Sequence, residues 1–305
     1  MNKFIITVDT EGDNLWKWKY VNKVSTCNVY YIHFFQELCE GYGLKPVYLT
    51  DYEMAQSDEL RRYIRKKAYD GKCEIGMHLH AWNSPPMYEL PIRYGGCPYI
   101  TEYPEEVIFE KHIFLKQYIE EHLGIQVVSY RSGRWATNDV LFRALESIGF
   151  LVDCSITPGI SHESNVGMSV EKGNSYIDAY SIPYRLIGNL IEVPMTTRRV
   201  RSIHGGSLKK RAAHLIKGEQ LWLRPAIQSL EEMKRLMAIV DIENAGYAEF
   251  MIHSSELMPG GSPYCRTEEH VENMYMKMDK LFKSVADRYS GATLSEYYKD
   301  YSYSL

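Results

Sequence analysis

The chain has 305 residues, of which 45% are hydrophobic and 24% are charged, and its formal net charge is -4 at neutral pH. This composition is typical of a globular protein that can bury a sizeable core, and the acidic balance excludes nucleic-acid binding through bulk positive charge. No apolar run approaches the roughly 18 residues of a membrane span, and the chain begins directly with an apparent core strand. We therefore expect a soluble, cytoplasmic protein.

The six cysteines lie far apart and include no Cys-x-x-Cys pair. Zinc-thiolate sites and dithiol redox motifs use such close spacings. We therefore expect reduced thiols, as in other cytosolic proteins.

Strand and helix patterns alternate along most of the chain, which predicts a parallel α/β architecture. Strands are predicted at 4–8, 46–50, 73–78, 126–130, 150–153, 190–194 and 247–253. Helices are predicted from Ser25 or Thr26 to about Gly41, from Asp58 to Tyr69, and at about 105–122, 138–149, 229–245, 267–289 and 294–301.

About seven parallel strands favour a distorted or incomplete (β/α) barrel over a complete eight-stranded one. An open doubly wound sheet is the alternative, although no glycine-rich phosphate loop follows the first strand. We expect one domain over residues 1–305, with a basic insertion at about 198–218.

Two carboxylates, Asp9 and Glu11, follow the first strand and precede Gly12. Carboxylates are costly to bury unless a cation faces them, and the carboxyl ends of parallel strands are where α/β barrels build their sites. We expect this pair to meet a metal ion, an arginine or a substrate. The alternative is that the two acids cap a turn or the next helix.

His78 and His80 lie at the end of the third predicted strand, separated by one residue. Alternate residues of an extended chain point to the same side, so both imidazoles could reach one metal ion. Together with Asp9 or Glu11 they form a set of two histidines and one carboxylate, which suits zinc, iron or another first-row divalent ion.

Three further segments carry polar groups directly after apolar strands. In the first, Arg131 could hold a catalytic carboxylate through paired hydrogen bonds, and Gly133 would let backbone N–H groups approach a substrate oxygen. In the others, Asp153 follows a short strand and His253 ends the last strong one, which suits general acid chemistry. The alternatives are that Arg131 and Arg134 face solvent and that His253 is structural.

The order of these segments resembles the polysaccharide deacetylase family, the NodB-homology carbohydrate esterases, over about residues 4–255. The resemblance implies a distorted (β/α) barrel and the removal of an acetyl group from an N-acetylated sugar. It also implies one divalent metal ion, for which zinc is the first choice and cobalt, nickel or iron are alternatives.

The resemblance also implies a role for each matching residue. It assigns Asp9 as the catalytic base, His78 as a metal ligand, Arg131 as the residue that orients the base, the backbone N–H near Arg134 as an oxyanion donor, and Asp153 as the partner that tunes the acid His253. We add Trp82, Arg134 and Trp135 as candidate substrate-binding residues.

The sequence departs from the common family pattern at two places. The usual adjacent pair of aspartates is Asp9-Thr10 here, so Glu11 must supply the metal carboxylate. The usual second metal histidine would lie four residues after His78, but that position is Trp82, so His80 has to take its place.

Two further features bear on the substrate. Aromatic residues that suit stacking on sugar rings fall in predicted loops at the same end of the sheet: Trp16, Trp18, Trp82, Tyr88, Tyr94 and Tyr99. From Arg198 to Gly218 there are seven lysines or arginines and no acid. This basic segment is a solvated loop or, in our sharper hypothesis, contacts a pyrophosphate or anionic lipid through residues 198–217.

We expect the substrate to be an intracellular precursor of a surface polysaccharide. The alternatives are a hydrolase of a non-sugar amide on the same fold and a catalytically inactive glycan-binding descendant.

Overall fold

The computed structural model describes residues 1–16, 23–91, 96–169, 171–201 and 218–302. Its strands are β1 (Asn2–Thr10), β2 (Pro46–Thr50), β3 (Glu74–Leu79), β4 (Ser129–Ser132), β5 (Val152–Asp153), β6 (Tyr184–Ile187), β7 (Leu190–Glu192), β8 (Thr197–Val200), β9 (Glu219–Trp222), β10 (Tyr247–His253) and β11 (Tyr289–Ala292). Its helices are α1 (Ile32–Gly41), α2 (Tyr52–Ala55), α3 (Asp58–Tyr69), α4 (Glu105–Leu123), α5 (Asp139–Ser147), α6 (Leu230–Glu243), α7 (Glu268–Ala286) and α8 (Leu294–Ser302).

One sheet of nine strands dominates the described part of the chain, in the order β10-β1-β2-β3-β4-β5-β7-β6, with β11 also paired to β1. Only β6 runs antiparallel to its neighbour, so eight strands are parallel where about seven were predicted. The predicted distorted, incomplete (β/α) barrel is confirmed, and β8 and β9 form a separate antiparallel pair.

The two faces of the sheet bury different clusters because side chains alternate along each strand. Phe4, Ile6 and Val8 of β1 belong to the large cluster between the sheet and the helices. Ile5 belongs to a second cluster together with residues of β2, β5, β7 and β10. This second cluster fills the inside of the curled sheet. Asp9 lies four residues after Ile5 on β1, so its side chain points to the same inner face.

Interior contacts show how strongly the sheet curls. The Arg131 side chain on β4 reaches Glu249 on β10, although three strands lie between them in the sheet order. The gap between β7 and β10 is bridged by irregular chain, since the Glu249 N–H donates to Thr196 Oγ1 over 2.8 Å and the Met251 N–H donates to the Leu223 carbonyl over 3.1 Å.

Helix caps account for most of the helix boundaries. Side chains of Asn138, Ser229 and Thr267 accept hydrogen bonds from the first turns of α5, α6 and α7, as their positions predicted. The cap of α3 is Ser57 rather than the predicted Asp58. The predicted first helix begins as a 3-10 turn at Cys27–Tyr31, and Thr26 forms no side-chain cap there.

Some predictions on the chain are wrong or fall outside the described residues. The last long helix ends at Ala286, and Tyr289 begins the unpredicted strand β11. Residues 202–217 of the basic insertion, together with Trp18 and Tyr94, lie outside the described part of the chain. All six cysteines are free. Among the described helices, none combines the length and the apolar character that crossing a membrane requires.

Stability should fall on mild acidification because of one buried histidine. His112 of α4 donates from Nδ1 to the Ile108 carbonyl over 2.6 Å, and its Nε2 lies 3.0 Å from the Tyr130 hydroxyl. Burial lowers the pKa of His112 to about 4. The folded state therefore binds its proton less readily than the unfolded state, so this contribution is complete above the ordinary value near 6.5 and is lost as the pH falls toward 4.

We expect the parent to lose about 2.5 kcal/mol more unfolding free energy than His112→Gln between pH 7 and pH 4.5. Urea denaturation at both pH values measures this difference. A His270→Asn variant, changed at an exposed histidine, serves as the control and should follow the parent. Parallel losses in the parent and in His112→Gln would contradict the assignment.

Candidate functional site

The carboxyl ends of β1, β3, β4 and β10 meet around one pocket of about 360 Å³, which we call the main pocket. Its lining includes the polar residues Asp9, Glu11, His78, His80, Ser132 and His253. Parallel strands bring their ends to one edge of a sheet, and sites form there. The structure thus brings together residues that are far apart in the chain.

Glu11, His78 and His80 form the candidate metal-binding group. His80 Nε2 lies 2.6 Å from Glu11 Oε2 and 3.1 Å from His78 Nε2. The distance from His78 Nε2 to the same Glu11 oxygen is 3.4 Å. All three side chains are buried. Within the described residues, they form the one group of three His, Cys, Asp or Glu side chains whose ligand atoms all lie within 4.8 Å of one another.

This donor set fits a divalent first-row metal ion. Donor atoms around a tetrahedral zinc ion lie roughly 3.3 Å apart, given bonds of about 2.0–2.1 Å, and the three observed separations bracket that value. The Nδ1–H of His78 donates a hydrogen bond to the Arg131 carbonyl over 3.0 Å. The lone pair on His78 Nε2 is therefore left to face the ligand atoms of Glu11 and His80. His80, rather than position 82, therefore supplies the second imidazole of this group.

The protonation of this group is set by burial and by its own contacts. Burial alone would raise the pKa of Glu11, but the neighbouring imidazoles of His78 and His80 hold it well below its ordinary value. Burial lowers the pKa of His80. Burial opposes the charged form of His78 as well, but Asp9 and Glu11 outweigh it and raise the pKa of His78. The carboxylate is charged at neutral pH, as a metal ligand must be.

Arg131 is fully buried and holds Asp9. Its Nη1 donates to Asp9 Oδ1 over 2.7 Å, and its Nε donates to the Cys154 carbonyl over 3.0 Å. Burial would raise the pKa of Asp9, but Arg131, His78 and His253 together hold it below its ordinary value. The pair expected from the sequence therefore exists, and Arg131 occupies one of the two Asp9 oxygens.

Glu249 shares the Arg131 guanidinium with Asp9 and was not predicted. Arg131 Nη2 donates to Glu249 Oε1, which also accepts from the Thr7 hydroxyl at 3.0 Å. Burial raises the pKa of Glu249 to about 7 in spite of Arg131. The available signal was its position four residues before His253, since alternation on β10 directs both to the inside of the barrel.

His253 lies at the end of β10 between two sets of groups. Its Nε2 is 3.7 Å from Asp9 Oδ2 and 3.8 Å from Glu11 Oε1. Its Nδ1 lies 3.6 Å from Glu256 Oε2 and 3.1 Å from Arg224 Nη2. The sequence did not predict Glu256 and Arg224 as neighbours of His253, because neither residue directly follows a predicted strand.

The structure does not bring Asp153 to His253. Among the described residues, the acids within 4 Å of His253 are Asp9, Glu11 and Glu256. Asp153 instead accepts from the Ser155 hydroxyl over 2.6 Å, and it is paired in register with Glu192. Its neighbours Val152 and Cys154 pack into the interior cluster, so alternation directs Asp153 to the opposite face of the sheet.

Two of the three predicted substrate-binding side chains are engaged in internal contacts. The Trp82 ring lies 4.5 Å from the His80 ring and lines a neighbouring cavity of about 470 Å³ rather than the main pocket. Arg134 lines the main pocket, but it donates to the backbone carbonyls of Cys97 and Val166.

Aromatic rings form much of the remaining wall. The predicted residues Trp16, Tyr99 and Trp135 line the main pocket, as do Trp222 and Tyr264, which the sequence analysis missed. Tyr88 does not line it and is exposed. The pocket therefore combines a polar floor with flat apolar walls.

The backbone after β4 makes a tight turn against the candidate metal-binding group. Arg134 and Trp135 both have positive φ angles, of 58° and 60°, which is unusual for residues other than glycine. A Cβ atom on Gly133 would lie 2.5 Å from the Leu79 carbonyl and 2.7 Å from His80 Nδ1. Only glycine lets this turn approach His80 so closely.

Gly133→Ala should therefore weaken metal binding. The added methyl group would force His80 or the turn to move, and we expect zinc affinity to fall about 10- to 100-fold, the range seen when the support of a ligating histidine is lost. Zinc titration against a competing chelator measures it. Gly41→Ala, where a Cβ atom meets nothing within 4 Å, is the matched control, and equal affinities for the two variants would refute the expectation.

No protein-family model and no curated protein matches this sequence. Solved structures do match. A Mycobacterium smegmatis protein described as a proposed polysaccharide deacetylase has a TM-score of 0.58 at 14% identity, over 98% of this chain and 90% of the other. A GH57 branching enzyme from Thermococcus kodakaraensis has a TM-score of 0.56 at 11% identity, over 98% of this chain and 71% of the other.

A third structure, a 4-alpha-glucanotransferase from Thermococcus litoralis, has a TM-score of 0.52 at 12% identity, over 98% of this chain and 38% of the other. These three proteins carry different activities in their names, and a shared fold does not fix an activity. At this level of identity the likeness establishes the fold. The chain thus has the distorted (β/α) barrel fold that its motifs predicted. It shares this fold with the Mycobacterium smegmatis structure, although the two sequences have diverged widely.

Proposed function

We propose that this protein is a metal-dependent deacetylase that removes an N-acetyl group from a sugar. One observation carries the proposal: the donor atoms of Glu11, His78 and His80 converge in the same pocket as Asp9 and His253. A candidate metal-binding group, a buried base and an imidazole within 4 Å of both are the parts that amide hydrolysis requires.

Glu11, His78 and His80 would hold one divalent ion, with zinc as the first choice and cobalt, nickel or iron as alternatives. Such an ion polarises an acyl oxygen and makes water more acidic. The remaining chemistry belongs to side chains of this chain.

Asp9 is the proposed base. Arg131 occupies its Oδ1, so Oδ2 is the oxygen that takes a proton from the attacking water. Arg131 fixes the carboxylate by charge-assisted hydrogen bonding and keeps it ionised. Because the guanidinium is fully buried, this orientation is maintained without competition from solvent.

His253 is the proposed acid. Its Nε2 points toward Asp9 and Glu11, so it can deliver a proton to the leaving amine in the same space. Glu256 Oε2 lies 3.6 Å from Nδ1, and the Glu256 carboxylate also accepts from the His253 backbone N–H. We therefore propose Glu256, rather than Asp153, as the acid that positions the His253 ring. Backbone N–H groups of the turn at residues 133–135 are the candidate oxyanion donors.

The pocket wall supports a sugar substrate. Trp16, Trp135, Trp222 and Tyr264 present flat rings with polar tips, which suit stacking on sugar rings. The contact of residues 198–217 with pyrophosphate or anionic lipid stays a separate proposal, since most of that segment lies outside the described residues.

Metal content and acetate release should depend on different residues. We expect about one divalent ion per chain in the parent, and loss of the ion together with activity in Glu11→Ala and His80→Ala, because each removes one donor. Asp9→Asn should keep the ion and lower the rate of acetate release about 10²- to 10⁴-fold, the usual contribution of a general base. Metal analysis and acetate assays on N-acetylated sugars measure both quantities.

His270→Ala, at an exposed histidine, is the matched control and should retain both the ion and activity. A tightly bound ion without acetate release from any sugar, but with hydrolysis of other amides, would favour a hydrolase of non-sugar C–N bonds. Sugar binding without an ion or any hydrolysis would favour an inactive glycan-binding protein.

A further inference from the structure

Arg224 lies just beyond β9 and lines the main pocket beside His253. Its Nη2 donates to Glu256 Oε1 over 2.8 Å and lies 3.1 Å from His253 Nδ1. Only 8% of the residue is exposed. A long, flexible cation is thus held in one orientation at the edge of the proposed active site.

Part of this guanidinium has no acceptor. Of the five N–H donors of an arginine, the two on Nη2 face Glu256 and His253. Within the described residues, Nε has no hydrogen-bond partner and is shielded from solvent, and Nη1 forms no hydrogen bond either. Nε is thus closed off from the pocket, whereas Nη1 is not among the solvent-shielded atoms and stays reachable. Because the donors of a largely buried arginine are almost always hydrogen-bonded, Nη1 indicates a place for an acceptor that the protein does not supply.

Aromatic rings surround the same cation. The Arg224 guanidinium lies 5.7 Å from the centre of the Trp222 ring, 5.6 Å from that of Tyr264 and 6.0 Å from that of Trp16. Each of these rings also lines the pocket. Cation-π contacts hold the guanidinium in place, and the rings lower the local dielectric, which strengthens any hydrogen bond made there.

The charge of Arg224 is balanced by Glu256, which is fully buried and whose pKa is lowered to about 2, since Arg224 and His253 outweigh the effect of burial. The site therefore needs no counter-ion, and a neutral hydrogen-bond acceptor is sufficient. Oxygen atoms of a sugar are such acceptors. His253 separates Arg224 from Asp9, so the acceptor would lie on the side from which the amine leaves.

We propose that Arg224 is a substrate-binding residue whose Nη1 donors bind an oxygen of the N-acetylated sugar next to the leaving nitrogen. The inference rests on the proposed function and extends it, because it names the residue that recognises the sugar rather than the acetyl group. The oxygen belongs either to a hydroxyl group or to an acidic substituent on that hydroxyl, and the two share the same hydrogen-bond chemistry.

The test uses Arg224→Lys, which keeps the ion pair with Glu256 but loses the planar fork. The double variant Arg224→Met with Glu256→Gln removes both charges together, so that no buried acid is left unpaired. Arg143→Lys, at an exposed pair with Glu105, is the matched control. Binding of glucosamine, N-acetylglucosamine and N-acetylmuramic acid is followed by tryptophan fluorescence, because Trp16 and Trp222 flank the site, and acetate release is followed in parallel.

We expect both Arg224 variants to raise Kd and KM for the sugars about 10- to 100-fold, as loss of a hydrogen bond to a charged group does. In Arg224→Lys the value of kcat should stay within threefold of the parent, and both variants should keep the metal content of the parent. A purely structural role would instead lower kcat and thermal stability together. Equal losses for both N-acetylated sugars would assign the acceptor as a hydroxyl, and a larger loss for N-acetylmuramic acid would assign it as the carboxylate.

Unchanged Kd values in both variants would overturn the inference. If the parent binds these sugars through Arg224 but releases no acetate, the deacetylase proposal fails and the assignment of Arg224 stands. If the parent releases acetate and the Arg224 variants bind and react normally, the assignment of Arg224 fails and the deacetylase proposal stands.

Discussion

The buried guanidinium of Arg131 is the interaction on which the rest of the site depends. It joins Asp9 of β1, Glu249 of β10 and the carbonyl of Cys154, so one side chain ties together distant strands of the curled sheet. Removing one partner of such a buried cluster costs about 3–5 kcal/mol, because the remaining charges stay buried without compensation. The same contact that orients the proposed base therefore also helps to hold the sheet in its curved form.

Alternation along the strands explains which parts of the site could be predicted. Apolar runs followed by Asp9, His78, Arg131 and His253 located four strand ends, and parallel pairing brought them together. Within the strands the same rule places Glu249 on the inside of the barrel, on the same side of β10 as His253. It also places Asp153 on the face opposite to its interior neighbours, away from His253.

Other parts of the site depend on contacts that have no local pattern. Arg224 and Glu256 meet His253 only after β9 and β10 have been placed by the irregular chain that bridges the gap in the barrel. Trp82 reads as a loop residue suited to sugar stacking, yet its ring packs on His80. The sheet itself was predictable from hydrophobic pattern, whereas β8, β9 and β11 were not, since none of them is a continuous apolar run.

The two histidines of the candidate metal-binding group come from one short extended segment rather than from a strand and a separate loop. The pleat of the backbone then sets the spacing of their side chains, so the geometry of that group is independent of the conformation of the long irregular segment that follows. That segment can vary in length and sequence while both ligands stay in register. Positions beyond His80 are therefore not needed as metal ligands, and one of them, Trp82, packs on His80 and lines the neighbouring cavity.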